Sequence, residues 1–180
     1  MKRTGKIAVC GIVTALCTVV MLLTFINVAT LAAPALAGFL LVVLVIEINW
    51  KWALLSYFAV TLLSFMTPDK QALLFFVVFL GYYPVVKSRI ELLGQKWMRV
   101  LIKLLIFNAA GAVAYAALIF ILGIPANPFE SFDFLGGFVY PAAVIAANLI
   151  FVVYDIGMSR VIVLYCRMLH PAIEKILKRG

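Results

Sequence analysis

The chain is written in long apolar runs broken by short polar clusters. Six runs approach the length of about 20 residues that a helix needs to cross a bilayer: 7–27, 31–48, 52–66, 71–87, 102–123 and 136–159. The second and third are short and separated only by INWKW, so a re-entrant pair is the alternative to two crossings. Pro34 falls near the start of the second run, where a missing N–H costs little. The first run follows MKRTGK, as a signal peptide would. Its apolar stretch reaches from Ile7 to about Val28, beyond the usual 7–15-residue signal core, so it reads as a retained membrane helix. From Phe138 the helical pattern runs past Arg160, which makes 160–180 a basic helix end that leaves the membrane before Pro171.

Composition strengthens this picture. Of the 180 residues, 67% are hydrophobic and 12% charged, with a mean hydropathy of +1.19. A soluble domain carries about 25% charged residues. The expected fold is therefore an all-α integral membrane protein, one membrane domain over 1–180 built as a compact six-helix bundle.

Charge then sets the expected orientation. With both ends in the cytoplasm, the inner side holds Lys2, Arg3, Lys6, Lys51, Lys87, Arg89, Lys96, Arg99, Lys103, Arg160, Arg167, Lys175, Lys178 and Arg179. Lys70 is then the one base left outside, as the positive-inside rule requires. Trp50, Trp52 and Trp97 fall at the same inner interface. The net charge of +8 thus describes a surface facing anionic lipid, and a nucleic-acid partner is not expected.

Candidate chemistry is sparse. Cys10, Cys17 and Cys166 have no metal-site spacing and read as buried packing residues, and His170 is the single histidine. There is no Ser/His/Asp set, no carboxylate pair with a partner and no phosphate-cradling glycine loop, so neither an enzyme nor a metal or cofactor site is expected. Polar residues in hydrocarbon are costly, which makes each one a candidate for function. On the outer side these are Asn27, Thr30, Asp69, Lys70, Gln71, Tyr115, Asn127, Glu130, Asp133, Tyr140 and, deeper, Asn148. The loop 123–137 would cap a cavity or simply be solvated. On the inner side lie Glu47, Tyr82, Tyr83, Asn108, Tyr154 and Asp155. Asp155 is expected to pair with a base from Lys87–Lys103 or with Arg160, and Glu47 with Lys51 if its helix continues.

The stretch MTPDKQ before the fourth run reads as a helix start, with Thr67 as N-cap, Pro68 at the first helical position and Asp69 complementing the helix dipole. Lys70 is not explained by capping. It either meets an anionic ligand or the acids Glu130 and Asp133, or it snorkels to water. Small residues that let membrane helices approach occur at Gly11/Ala15, at Ala29/Ala33/Ala37 with Gly38, in 108–117 and in 141–148. One such face is expected to receive another membrane subunit, with the first helix the favoured one.

The segments KIAVCGIVTAL (6–16) and VYDIGMSRVIVLYCRMLHPAIEKIL (153–177), set in six spans with both ends inside, resemble the S component of an energy-coupling factor (ECF) transporter. That resemblance implies a multi-pass protein of a bacterial plasma membrane that captures a vitamin-like small molecule in the outer half of the bundle. It also implies a membrane-embedded T subunit and a cytoplasmic ATPase pair as partners. Gly11 and Ala15 stand where the family has its small-residue docking face. The binding residues expected on this reading are Asn27, Thr30, Lys70, Gln71, Tyr115, Asn127, Glu130, Tyr140 and Asn148. The competing reading is a non-transport scaffold of the cell envelope or of morphogenesis.

Overall fold

A computed structural model describes residues 3–26, 30–67, 69–120 and 138–168. Among the described residues there are only helices and the turns that join them, with no strand. The elements are α1 (Arg3–Leu22, extended by a 3-10 turn Leu23–Ile26), α2 (Ala32–Glu47), α3 (Trp50–Ser64), α4 (Lys70–Phe75), α5 (Tyr83–Ile90), α6 (Lys96–Phe120) and α7 (Val139–Met168). A π-helical turn, Phe76–Leu80, joins α4 to α5, so these two form one rod. Six rods therefore follow one another, as the apolar runs predict. Four are long and apolar enough to cross a membrane: Arg3–Phe25, Lys70–Ile90, Lys96–Ala117 and Val139–Met168. At 16 and 15 residues, α2 and α3 are only about 24 Å long, short of a hydrocarbon core of about 30 Å.

One of these two short rods, α2, is the centre of the molecule. The α2 sequence AAPALAGFLLVVLVIE has apolar residues on every side, the pattern of a helix surrounded by others. It packs against α1, α3, the α4–α5 rod and α7. Its Leu41 and Leu44 lie in one core with Met21 of α1, Val60 of α3 and Phe76 of the π turn. Its Val42 lies in a second core with Tyr83, Phe151 and Met158. At the outside of this arrangement are two long rods, α6 and α7, whose apolar side chains stay largely exposed, a pattern compatible with a membrane protein.

Two features of the α4–α5 rod follow from its sequence. In the π turn the Gly81 N–H donates to the Phe76 carbonyl at 2.8 Å, five residues back. Such a turn widens the helix and turns carbonyls outward. One of them, on Val77, accepts from the Tyr57 hydroxyl of α3 at 2.9 Å. Pro84 then begins α5, where it has no N–H to offer the Leu80 carbonyl four residues earlier.

Several expectations need correction here. The N-cap of α4 is Asp69, not Thr67: the Asp69 carboxylate accepts from the Ala72 N–H at 2.9 Å. Thr67 is buried and its hydroxyl donates back to the Ser64 carbonyl, closing the end of α3. The helix starts after Asp69 because a carboxylate at that position satisfies the free N–H of the third helical residue. The first helical turn of α6 lies six residues before 102, at Lys96. Glu47 ends α2, so the helix does not carry on to Lys51; a Glu47 oxygen instead accepts from the Tyr165 hydroxyl of α7 at 2.8 Å. Cys10 and Cys17 are buried, but Cys166 is exposed on α7. The loop 123–137, His170 and the basic end 169–180 lie outside the described residues.

Candidate functional site

Cross-helix contacts fix the register of the rods. Glu47 meets Tyr165, Lys87 meets Asp155, and Lys103 meets Asp155 while Asn108 meets Asn148. Gly38 lies against Tyr154 and Tyr83 against Phe151 as well, so α2, α5 and α7 run the same way and α6 runs against them. This register brings Lys87, Arg89, Lys96, Arg99, Lys103 and Arg160 to the end of the bundle that holds Glu47 and Tyr165. Trp50 lies at that end as well, with Lys51 and Arg89 each over its ring at 5.6 and 5.5 Å.

Just inside this end is a buried ion cluster. The Lys87 side chain is 3% exposed and the Lys103 side chain 8%, and both donate to the Asp155 carboxylate. Lys87 also donates to the Asp155 backbone carbonyl at 3.0 Å and to the Ser159 hydroxyl at 2.8 Å. An ammonium has three protons to give, and these three acceptors account for all of them. Lys103 reaches Glu91 at 2.6 Å and Asp155 at 3.0 Å. Arg99 joins Glu91 at 3.2 Å and donates to the Leu93 carbonyl at 2.6 Å. The hydrogen bond from Lys103 holds the Glu91 carboxyl below its ordinary range. The Tyr83 hydroxyl completes the cluster by donating to Asp155. The expectation that Asp155 pairs with a base of the Lys87–Lys103 segment is met by both lysines at once.

Above the cluster, toward the Asn108–Asn148 level, lies a cavity of about 450 Å³. Its walls come from α2 (Ala35, with Leu31 beside it), the α4–α5 rod (Phe75, Phe79, Leu80, Tyr82, Tyr83), α6 (Ile106, Phe107) and α7 (Ala147, Ile150, Phe151, Tyr154). The rings touch one another in sequence. Phe107 stacks on Phe151 with centroids 4.3 Å apart, Phe79 lies 5.3 Å from Phe107, and Tyr83 meets Phe151 edge-on at 5.2 Å. Tyr83 and Tyr154, 5.7 Å apart, separate the cavity from the ion cluster. The Tyr83 hydroxyl is committed to Asp155, whereas the Tyr154 hydroxyl is buried with no hydrogen-bond partner among the described residues.

The predicted binding residues are spread elsewhere. Asn27, Asn127 and Glu130 lie outside the described residues. Thr30 is half-buried in the turn before α2, next to the lining residue Leu31. Gln71, Tyr115 and Tyr140 are exposed, and none of them lines the cavity. Asn148 shares a reciprocal amide pair with Asn108, at 2.9 and 3.1 Å, across α6 and α7. Gly11 and Ala15 are exposed on α1, and a Cβ added at Gly11 would meet nothing within 4 Å. Ala33, Ala37 and Gly38 are buried, so that ladder serves packing inside the bundle.

No protein-family model, curated protein or solved structure matches the chain. The site has to be read from its own geometry.

Lys70 has a local explanation. Its ammonium donates to the carbonyls of Phe65 and Thr67, both at 2.9 Å, and so ties off the last turn of α3. Lys70→Met is expected to lower thermal stability by about 0.5–1.5 kcal/mol, the range for one such set of bonds, and to leave small-molecule binding unchanged. Thermal unfolding of the purified protein, beside a binding isotherm, checks both halves.

Tyr82, Tyr83 and Tyr154 of the wall were among the polar candidates of the inner side, but the lining phenylalanines were missed because each looks, in sequence, like a lipid-facing residue. A signal was present: Phe75, Phe79 and Tyr82 recur at helical spacing, as do Ala147, Phe151 and Tyr154. Such periodicity says that the residues share a face. It does not say whether that face meets lipid, protein or a cavity.

Proposed function

We propose that this chain is the substrate-binding membrane subunit of an importer of the ECF type, with the aromatic cavity as its capture site. The observation that carries the reading is a 450 Å³ cavity at the meeting of four rods, within the roughly 300–1,000 Å³ typical of small-molecule sites. Two further features support it. Four helices are long enough to span a membrane, and the basic residues of α5, α6 and the last part of α7 gather at one end, which would be the cytoplasmic side. The exposed small-residue face at Gly11 and Ala15 is free to receive a membrane-embedded T subunit, and the ATPase pair would come from other chains.

In this reading the chain binds and holds; the energy for release comes from its partners. The cavity provides shape and rings, and the ion cluster fixes the relative positions of α5, α6 and α7 below it.

Filling the cavity tests the reading. Ala147 is small and lines the wall, so Ala147→Phe places a ring in the volume. Native mass spectrometry of the wild-type protein, released from membranes with its partners, is expected to show a retained small molecule and a T subunit with ATPases. The Ala147→Phe protein is expected to lose the small molecule and keep the partners. A wild-type protein that carries neither would overturn the proposal and favour the scaffold reading.

A further inference from the structure

The place of the cavity mouth and the make-up of its wall point to a route of entry and a class of occupant, given the reading that it is the capture site. We infer that the cavity is loaded sideways from the bilayer and holds an uncharged, lipid-soluble ring compound.

The mouth comes first. Ile150 lines the cavity and is also 70% exposed, so the wall there is part of the outer surface of the bundle. At about 1.5 Å per residue, it stands about 17 Å along α7 from Val139 and about 8 Å above Asp155. On the membrane reading this is well inside the span, where the surroundings are acyl chains. The exposed residues beside it on α7, Leu149 and Val153, are apolar. So is Leu105 on α6, next to the lining residue Ile106. Asn108 and Asn148, two residues from Ile106 and Ile150, have no amide proton left to hold water at this rim. Each gives one proton to the other amide and one to a carbonyl of its own helix.

Charge comes second. None of the described lining residues is charged, and the wall is almost entirely apolar. The Tyr83 hydroxyl donates to Asp155, and the Tyr154 hydroxyl is buried against Gly38 of α2, out of reach of an occupant. Below these rings, Lys87 and Lys103 are bound to Asp155, Ser159 and Glu91. A carboxylate, phosphate or ammonium arriving from water would lose its hydration and gain no partner in exchange. A compound already dissolved in hydrocarbon has no such loss to make good.

Ring shape comes third. Seven of the 13 described lining residues are aromatic, against 13% of the whole chain, so this wall differs from an ordinary lipid-facing surface. The rings follow one another in contact. Phe75 lies 6.0 Å from Phe79, Phe79 5.3 Å from Phe107, Phe107 4.3 Å from Phe151, and Phe151 5.2 Å from Tyr83. Such faces and edges suit another ring, which packs offset or edge-on. A rigid ring also gives up less freedom on entry than a flexible acyl chain, and this lets it displace lipid.

Two measurements in lipid nanodiscs test the inference. Equilibrium dialysis, corrected by protein-free discs of the same lipid, compares 2-methylnaphthalene with 2-naphthoate. Only 2-methylnaphthalene is expected to be held beyond its partition into lipid; hexadecane added to the discs should not displace it, and Ala147→Phe should lose it. The second probe is a phosphatidylcholine whose acyl chain ends in a diazirine-bearing phenyl ring, which reaches the protein through the bilayer alone. Irradiation is expected to label peptides holding Phe107 or Phe151, and 2-methylnaphthalene is expected to suppress that label. Naphthoate held as well as 2-methylnaphthalene, or displacement by hexadecane, would overturn the ligand class; a label that 2-methylnaphthalene leaves unchanged would overturn the route. In each of these cases the cavity stays the capture site if Ala147→Phe still abolishes retention. If Ala147→Phe retains the probes in full, the cavity is not the site and the proposed function falls as well. If no probe is held, the inference falls. The small molecule kept by wild type and lost by Ala147→Phe in native mass spectrometry then decides separately whether the capture reading stands.

Discussion

Asp155→Asn is expected to destabilise the protein by about 3–5 kcal/mol. The carboxylate is the shared counter-ion of Lys87 and Lys103, whose side chains are almost wholly buried. An amide of the same shape keeps the packing and removes the charge. Lys103 then retains Glu91 at 2.6 Å, but Lys87 is left with Glu91 at 3.8 Å as its remaining carboxylate. Removing one partner of a buried pair is damaging because the other stays desolvated, not because the pair itself is a large source of stability. The double substitution Asp155→Leu with Lys87→Met is therefore expected to recover much of the loss. Unfolding of the purified variants, by heat or by titration with a denaturing detergent, measures both. Wild-type stability in Asp155→Asn would show that the cluster is solvated and not a structural tie between α5, α6 and α7.

Gly38→Ala is expected to cost about 1–3 kcal/mol, although alanine is ordinarily the better helix former. A Cβ at this position would lie 2.6 Å from the Leu80 carbonyl oxygen and 3.0 Å from the Tyr154 hydroxyl. The first of these is backbone, in a π turn pinned by the Gly81 N–H to the Phe76 carbonyl and by Tyr57 to Val77. Neither α2 nor the turn can yield without disturbing those bonds. Leu80 and Tyr154 both line the cavity, so small-molecule retention should fall along with stability. Gly11→Ala is the matched control: with nothing within 4 Å, it is expected to stabilise α1 by about 0.5–1 kcal/mol. Should the two substitutions act alike in thermal unfolding, the close approach of α2 to the π turn is not a constraint on the fold.

The rods were legible because the apolar runs are long, and the breaks at INWKW and MTPDKQ are too polar to continue them. The central place of α2 was also within reach, since AAPALAGFLLVVLVIE offers no polar side to lipid headgroups or water. Asp155 could be matched to a lysine because an acid inside an apolar run has to find a base. Helix ends were less legible. Starting α6 at Lys96 instead of 102 moves every later residue by about 9 Å along the axis. Asn108, assigned to the inner half, thereby reaches the level of Asn148, assigned to the outer half, and the two amides pair. The cavity was not legible at all. Phe107 and Phe151 are the same residues whether they face acyl chains or each other, and nothing in FFVVFL marks a π turn. The polar residues singled out in the outer half do not line this cavity: Lys70 is held by carbonyls at the end of α3, and the cavity wall is almost entirely apolar.

The π turn has a consequence for angular phase. Residues four apart on an α-helix are about 40° out of line, because each residue advances about 100°. Over the three steps Phe75, Phe79, Tyr83 and Lys87 that drift would come to about 120°, enough to turn Lys87 away from whatever Phe75 faces. A turn that takes one additional residue to close absorbs about 100° of it. Phe75, Phe79 and Tyr83 thus line one cavity while Lys87, on the same rod, still meets Asp155 of α7. The one irregular turn in the rod is what lets a single helix face hold both an apolar chamber and the charge beneath it.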